Sequence, residues 1–141
     1  KTFIECIDCA PQREGMAWIV EWLKKCRNIG GILVDGKGAA ELLIGELAKE
    51  KLAARSPAWG EMIVACSGFR QAIDAETIEH TGQPSVVQAV SNCERRMIGN
   101  AGGFGFRSLS AEIEGAIVES LALAHYGASS AKERKKPKVW Y

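Results

Sequence analysis

Apolar side chains recur every three or four positions from Met16 to Cys26 (Met16, Ile19, Val20, Leu23, with Trp18 and Trp22 alongside), the spacing of an amphipathic helix. Lys24, Lys25 and Arg27 sit toward its C-terminal end, where cations suit the helix dipole, and Asn28 with Gly30-Gly31 is expected to stop it. Ile32-Leu33-Val34 is instead short and continuously apolar, which predicts a strand buried on both faces. That run ends abruptly in Asp35-Gly36-Lys37-Gly38, and helical spacing resumes from Ala39 to Glu50. Phe3 to Ile7 alternates loosely and predicts a short strand closed by Pro11; Leu52 to Arg55 predicts another, broken by Ser56-Pro57. A helix follows from Ser56 or Trp59 to about Ala75, and a further one from Ser85 to Cys93, after the turn Thr81-Gly82-Gln83-Pro84. Arg95–Ile98 and Phe104–Arg107 flank Gly99-Asn100-Ala101-Gly102-Gly103, the pattern of a β-hairpin near residues 94–108 with a glycine-rich tip. A last helix is expected from Ser110 to Tyr126. With no internal repeat and no interior linker, the pattern is that of one α/β domain.

Composition narrows this picture without changing it. A chain of 141 residues with 47% hydrophobic and 25% charged positions can bury one core, and a net charge of +1 excludes a globally basic nucleic-acid binder. No apolar run approaches the ~20 residues of a membrane span, and Lys1 to Asp8 lacks the pattern of a signal peptide. Five cysteines is an odd count, and Cys26, Cys66 and Cys93 lie in apolar, periodic surroundings, which implies reduced thiols and a cytoplasmic setting. The first methionine is Met16, so the sequence reads as a piece of something longer. Lys132 to Lys138 holds basic residues against Glu133 with little to bury, so residues 129–141 are expected to form a flexible basic tail.

Candidate chemistry centres on Asp35. In open parallel sheets, sites form beyond the carboxyl ends of strands, and an ionised carboxylate there needs a metal, a donor or water to compensate it. The structural alternative is that Asp35 caps the following helix. Glu112 and Glu114, in Ser110-Ala111-Glu112-Ile113-Glu114-Gly115, open the last helix, where acidic side chains already suit the dipole. Brought together, a strand-end Asp and a helix-start Glu would make a hard oxygen site suited to Mg²⁺ or Mn²⁺. Gly36-Lys37-Gly38 before a helix would alternatively cradle a phosphate on backbone N–H groups, the reading of a nucleotide- or anion-binding module. Cys6-Ile7-Asp8-Cys9 is a lone C-x-x-C with no further ligands at zinc spacing, His80 is expected to support a turn, and His125 lies near a helix end.

The ordered series of segments resembles a known family. Val34-Asp35-Gly36-Lys37-Gly38-Ala39-Ala40 resembles the "V-D-G-R-G" segment in the C-terminal nuclease domain of phage terminase large subunits. Trp18-Ile19-Val20-Glu21 resembles the preceding helix, Glu61–Ala72 the helix after the sheet, and Glu79-His80-Thr81-Gly82-Gln83-Pro84 the "H-x-G-x-P" turn. Ala116 to Gly127 resembles the closing alanine-rich helix, so the similarity covers residues 1–128.

The resemblance implies a ribonuclease H-like fold, a partly truncated parallel or mixed sheet flanked by helices, that cuts duplex DNA during genome packaging through two divalent metals. Asp35 would then be the acidic residue ending the fourth strand. Glu114 would fall where the family has Asp, with Glu112 as its substitute. The first-strand acid of the family has no counterpart, since by this resemblance the chain is expected to begin at the third strand, so the Mg²⁺ or Mn²⁺ site is expected to be incomplete and the fragment slow or inactive. Lys37, Arg95, Arg96 and Arg107 are the candidate DNA contacts, through phosphates rather than bases. The family further implies a terminase small subunit and a portal as partners, and the cytoplasm of an infected or lysogenic bacterium as location. A noncatalytic packaging-interaction module is the rival from another class. Loss of the first strands predicts that Phe3–Ile7 pairs beside Ile32–Val34, or that chains associate to fill the open edge.

Overall fold

The computed structural model describes residues 1–36, 38–110, 116–131 and 139–141. In chain order its elements are β1 (Thr2–Phe3), a 3-10 turn (Gln12–Glu14), α1 (Ala17–Lys25), β2 (Ile29–Gly31), α2 (Ala39–Lys49), α3 (Trp59–Asp74), β3 (Ile78–Glu79), α4 (Pro84–Ser91), β4 (Cys93–Ile98), β5 (Gly103–Ser108), α5 (Ala116–Ser130) and β6 (Val139–Trp140). The chain is therefore mixed α/β, with five helices and small sheets among the described residues.

The helices follow the apolar spacing closely, because each buries one stripe. Leu23 on α1, Leu43 and Leu47 on α2, Met62, Ala65, Cys66 and Phe69 on α3, and Val118, Leu121 and Ala122 on α5 are all buried. The hairpin is also where the sequence places it: β4 and β5 pair antiparallel from Cys93↔Ser108 to Ile98↔Gly103. Gly99 (φ 65°) and Gly102 (φ 82°) supply the left-handed backbone that its tip requires.

The strand pairings depart from expectation. Gly30 and Gly31, read from sequence as a helix stop, lie within β2 itself. The strand conformation reaches on through Leu33, which forms a parallel bridge to Arg55. Ile32 and Val34 use one edge, bonding to Arg55 (Arg55 N–H to the Ile32 carbonyl 3.2 Å, Val34 N–H to the Arg55 carbonyl 3.0 Å). Gly31 and Leu33 use the other, bonding to Tyr141 at 3.3 and 2.8 Å, in line with the parallel pairing of β2 and β6. Both edges of the segment 29–34 are thus occupied from within the chain.

Phe3–Ile7 does not pair beside Ile32–Val34, which corrects the first of the two alternatives above. Only Thr2–Phe3 is strand, and it pairs in parallel with β3 in the register Thr2↔Ile78. The physical reason is that the turn after α3 carries β3 directly past the chain start, while the edge of β2 is already taken by β6. Among the described residues the pairings form three separate two-stranded sheets rather than one continuous sheet. At the other end α5 runs to Ser130, beyond the expected boundary at 128, and Val139–Tyr141 packs onto β2; the basic stretch 132–138 lies outside the described residues.

Alternation along the central strand divides the interior in two. Leu33 (9% exposed) faces a cluster built by Ile4, α3, α4, α5 and the hairpin, while Ile32 (5%) faces a second cluster with Leu23, Leu43 and Leu47. The expectation of a strand buried on both faces holds for these two residues.

Candidate functional site

Asp35 follows the last bridged residues of the central strand and is exposed. It is not the N-cap of α2: that position is Gly38 (φ 75°), which makes no side-chain capping bond. Gly36, at φ 137°, turns the chain so that its carbonyl accepts from Ala40 N–H at 3.2 Å. Among the described residues nothing hydrogen-bonds to the Asp35 carboxylate, so the structural alternative offered by the sequence is not realised. An exposed, unpartnered carboxylate at a strand end is chemically open to a hard cation or to water.

Cys66 on α3 is fully buried. Burial pushes the Cys66 thiol up to about 12, with the negative charges of Glu119 and Asp35 adding to the effect and Arg96 opposing it.

Of the other sequence candidates, Glu112, Glu114 and Lys37 lie outside the described residues. No group of three or more His, Cys, Asp or Glu side chains suited to a metal occurs among the described residues. Asp35 has no partner ligands beside it there, so the described residues supply no ligand set for Mg²⁺ or Mn²⁺. An apolar cleft of about 440 Å³ lies elsewhere, between β3, α3 and α4, with His80 among its lining residues and Asp35 not among them.

The three hairpin arginines have distinct fates. Arg96 is held by Glu119: its Nε and Nη2 each lie 2.8 Å from Glu119 Oε1, which also accepts from Phe106 N–H at 3.0 Å. The Glu119 side chain is only 14% exposed, so this contact ties the hairpin to α5. Arg107 pairs across the strands with Glu94, which partly cancels its charge toward a phosphate. Arg95 is exposed, with its guanidinium 4.7 Å from the centre of the Phe104 ring.

Glu119 and Glu61 are the two well-engaged carboxylates that sequence reasoning passed over. Glu61 receives both Arg55 guanidinium nitrogens (2.7 and 2.8 Å), the Ala58 N–H (2.9 Å) and the Tyr126 hydroxyl (2.9 Å). Arg55 above all, then the Ala58 N–H and Tyr126, hold its carboxyl down at about 2. As the third residue of α3, three past the N-cap Ala58, it reaches back to the N-cap N–H as a capping-box glutamate does, although Ala58 contributes no side-chain oxygen. Glu119 carried no such signal, because its partners lie on a hairpin 23 and 13 residues away.

His80 supports a turn as expected, its Nδ1 accepting from Gly82 N–H at 3.0 Å. His125 lies 6.0 Å from the Phe69 ring, and burial lowers its pKa. None of the five cysteines forms a disulfide, and burial raises Cys6 rather than activating it. Comparison with protein families, with curated proteins and with solved structures gave no match.

Proposed function

We propose that this chain is part of a divalent-metal-dependent endonuclease domain of the phage terminase large-subunit type, with a ribonuclease H-like arrangement and Asp35 as its metal-binding carboxylate. One observation carries the reading. Asp35 stands exposed at the end of a central strand flanked by parallel neighbours, and no described residue engages its carboxylate. That is where an α/β sheet offers a site, and it is the residue on which the terminase-like segment Val34–Ala40 converges.

A divalent ion bound there would lower the pKa of a coordinated water and stabilise charge on a phosphodiester. The chain's own part is to present Asp35 as an oxygen ligand on a turn fixed by Gly36 and Gly38, with Glu114 or Glu112 as the further acid. Arg95 is the hairpin cation best placed for a phosphate, because Glu119 and Glu94 already engage Arg96 and Arg107. Duplex DNA is the proposed substrate, and the terminase small subunit and portal the proposed partners of the whole protein.

The direct test is conversion of supercoiled plasmid to nicked and linear forms in Mn²⁺, by the unaltered chain and by Asp35→Asn. Cleavage that needs metal and is lost in Asp35→Asn supports the reading. Cleavage that persists in Asp35→Asn or in chelator contradicts it.

A further inference from the structure

The cleft of about 440 Å³ between β3, α3 and α4 has no part in the chemistry assigned to Asp35. Its floor is apolar: Ile4, Phe69, Ala72 and Val86 are buried, and Ile78 is half-buried. Two further apolar side chains line it and stay open to solvent, Ile73 on α3 (38% exposed) and Val87 on α4 (45%). A hollow of this size and lining is that of a small-molecule site, in which an apolar body supplies the buried area and a few polar groups fix orientation.

The polar groups of the cleft select the sign of a ligand's head group. Glu76 and His80 both line it and both are exposed. After α3 the chain turns back on itself: Thr77 N–H donates to the Ala72 carbonyl at 3.0 Å and Glu76 N–H to the Ile73 carbonyl at 3.1 Å, with Glu76 at φ 54°. This turn fixes Glu76 beside the floor residue Ala72, and no described residue hydrogen-bonds or pairs with its carboxylate. His80 Nδ1 accepts from Gly82 N–H, so the ring in this bond carries its hydrogen on Nε2 and offers the cleft a donor rather than a cation. No lysine or arginine is among the described residues that line the cleft, and Arg70, on the same helix, is held by Asp74 at 3.0 Å. An apolar cleft whose one formal charge is a carboxylate favours a cation and disfavours an anion. We propose that it binds a small amphiphilic amine, with an aliphatic or aromatic body against Phe69, Ala72 and Val86 and the ammonium group paired with Glu76. The apolar floor supplies most of the affinity, and the exposed carboxylate, screened by water and salt, supplies a modest preference for the cation.

Probes that differ only in head group, n-octylammonium, 1-octanol and octanoate, test this on the full chain by titration followed in ¹⁵N–¹H correlation spectra. Octylammonium is expected to give saturable shifts confined to amides around the cleft, such as those of Ala72, Ile78 and Val87. Its dissociation constant should lie at least about threefold below that of 1-octanol, with octanoate the weakest. Glu76→Gln should remove the advantage of octylammonium over 1-octanol and leave the affinity for the alcohol unchanged. Glu76→Gly removes the same carboxylate in favour of the residue best suited to φ 54°, so it should lose the preference while melting about 2–4 °C higher, which separates loss of charge from loss of fold. Val87→Trp fills the cleft from an exposed position and should abolish binding of every probe; Ile73→Trp replaces it should circular dichroism show that variant unfolded. No saturable shift with any probe, octanoate bound as tightly as octylammonium, an ammonium preference that survives Glu76→Gln, or undiminished binding in folded Val87→Trp or Ile73→Trp each overturn the proposal.

Discussion

Replacing Phe69 by Ala tests how the larger half of the interior is held together. Phe69 is 1% exposed and sits on α3 between the hairpin and α5, edge-on to Phe106 (centroids 6.5 Å apart at 78°) and tilted against His125 (6.0 Å). Removing its ring forfeits about 1.5–3 kcal/mol of apolar burial. A further ~0.5–1.5 kcal/mol of aromatic edge contact goes with it. Neighbours on three elements cannot all collapse into the space, so a residual cavity brings the loss to about 3–5 kcal/mol, the range for Phe→Ala in cores. A domain of this length is stable by about 0.05–0.15 kcal/mol per residue, so the variant should fold but unfold at a melting temperature lower by about 10–20 °C. Urea unfolding followed by far-UV circular dichroism should show the midpoint falling with the slope unchanged. Val64→Ala, on the same helix and 58% exposed, should change stability by less than about 0.5 kcal/mol. A loss below ~1 kcal/mol for Phe69→Ala, or equal losses for the two variants, would refute the packing described for α3, α5 and the hairpin.

Two further predictions concern the carboxylates engaged by the fold. Glu61 has a folded-state pKa lowered to about 2 from an ordinary value of 4.5, so its contribution is fully present above pH ~4.5 and is lost as the pH falls through about 2. Glu61→Gln should therefore flatten the acid limb of the stability–pH curve between those values, and an unchanged limb in urea titrations would argue against the Arg55–Glu61–Tyr126 clamp. For Arg96 and Glu119, partial exposure of the arginine discounts the penalty of a buried pair, and a double-mutant cycle with Ala at each position should give a coupling of about 1–2 kcal/mol. The exposed Arg107–Glu94 pair should give about 0.5 kcal/mol or less, and the reverse ranking would contradict the role of Glu119 in tying the hairpin to α5.

The helices and the hairpin were legible in the sequence because their signals are local. Apolar spacing of 3.6 marks α1, α2 and α3, and the glycine-rich tip marks β4–β5. The strand pairings were not legible, because they depend on partners far apart in the chain. Gly30-Gly31 reads as a helix stop until Trp140, about 110 residues on, is seen to need the space above it. The basic stretch before Val139 likewise suggests a solvated end, whereas the three residues beyond it carry the aromatic side chains that dock. Asp35 was legible as a residue and ambiguous as a role. Strand-end position is equally consistent with a helix cap and with a ligand, and the structure gives the N-cap position of α2 to Gly38. Glu119 was hidden because a glutamate in an alanine-rich helix carries no mark of the arginine that will meet it.

The measurement that bears most directly on Asp35 is Mn²⁺ binding, followed by isothermal titration calorimetry on the unaltered chain and on Asp35→Ala. Asp35 is exposed and no described residue hydrogen-bonds its carboxylate, so the variant should keep its circular dichroism spectrum and melting temperature. Saturable Mn²⁺ binding in the unaltered chain, weakened at least about tenfold in Asp35→Ala, is the result expected of a metal-ligating carboxylate. Equal binding by the two proteins, with both folded, would contradict the assignment of Asp35 as the metal ligand.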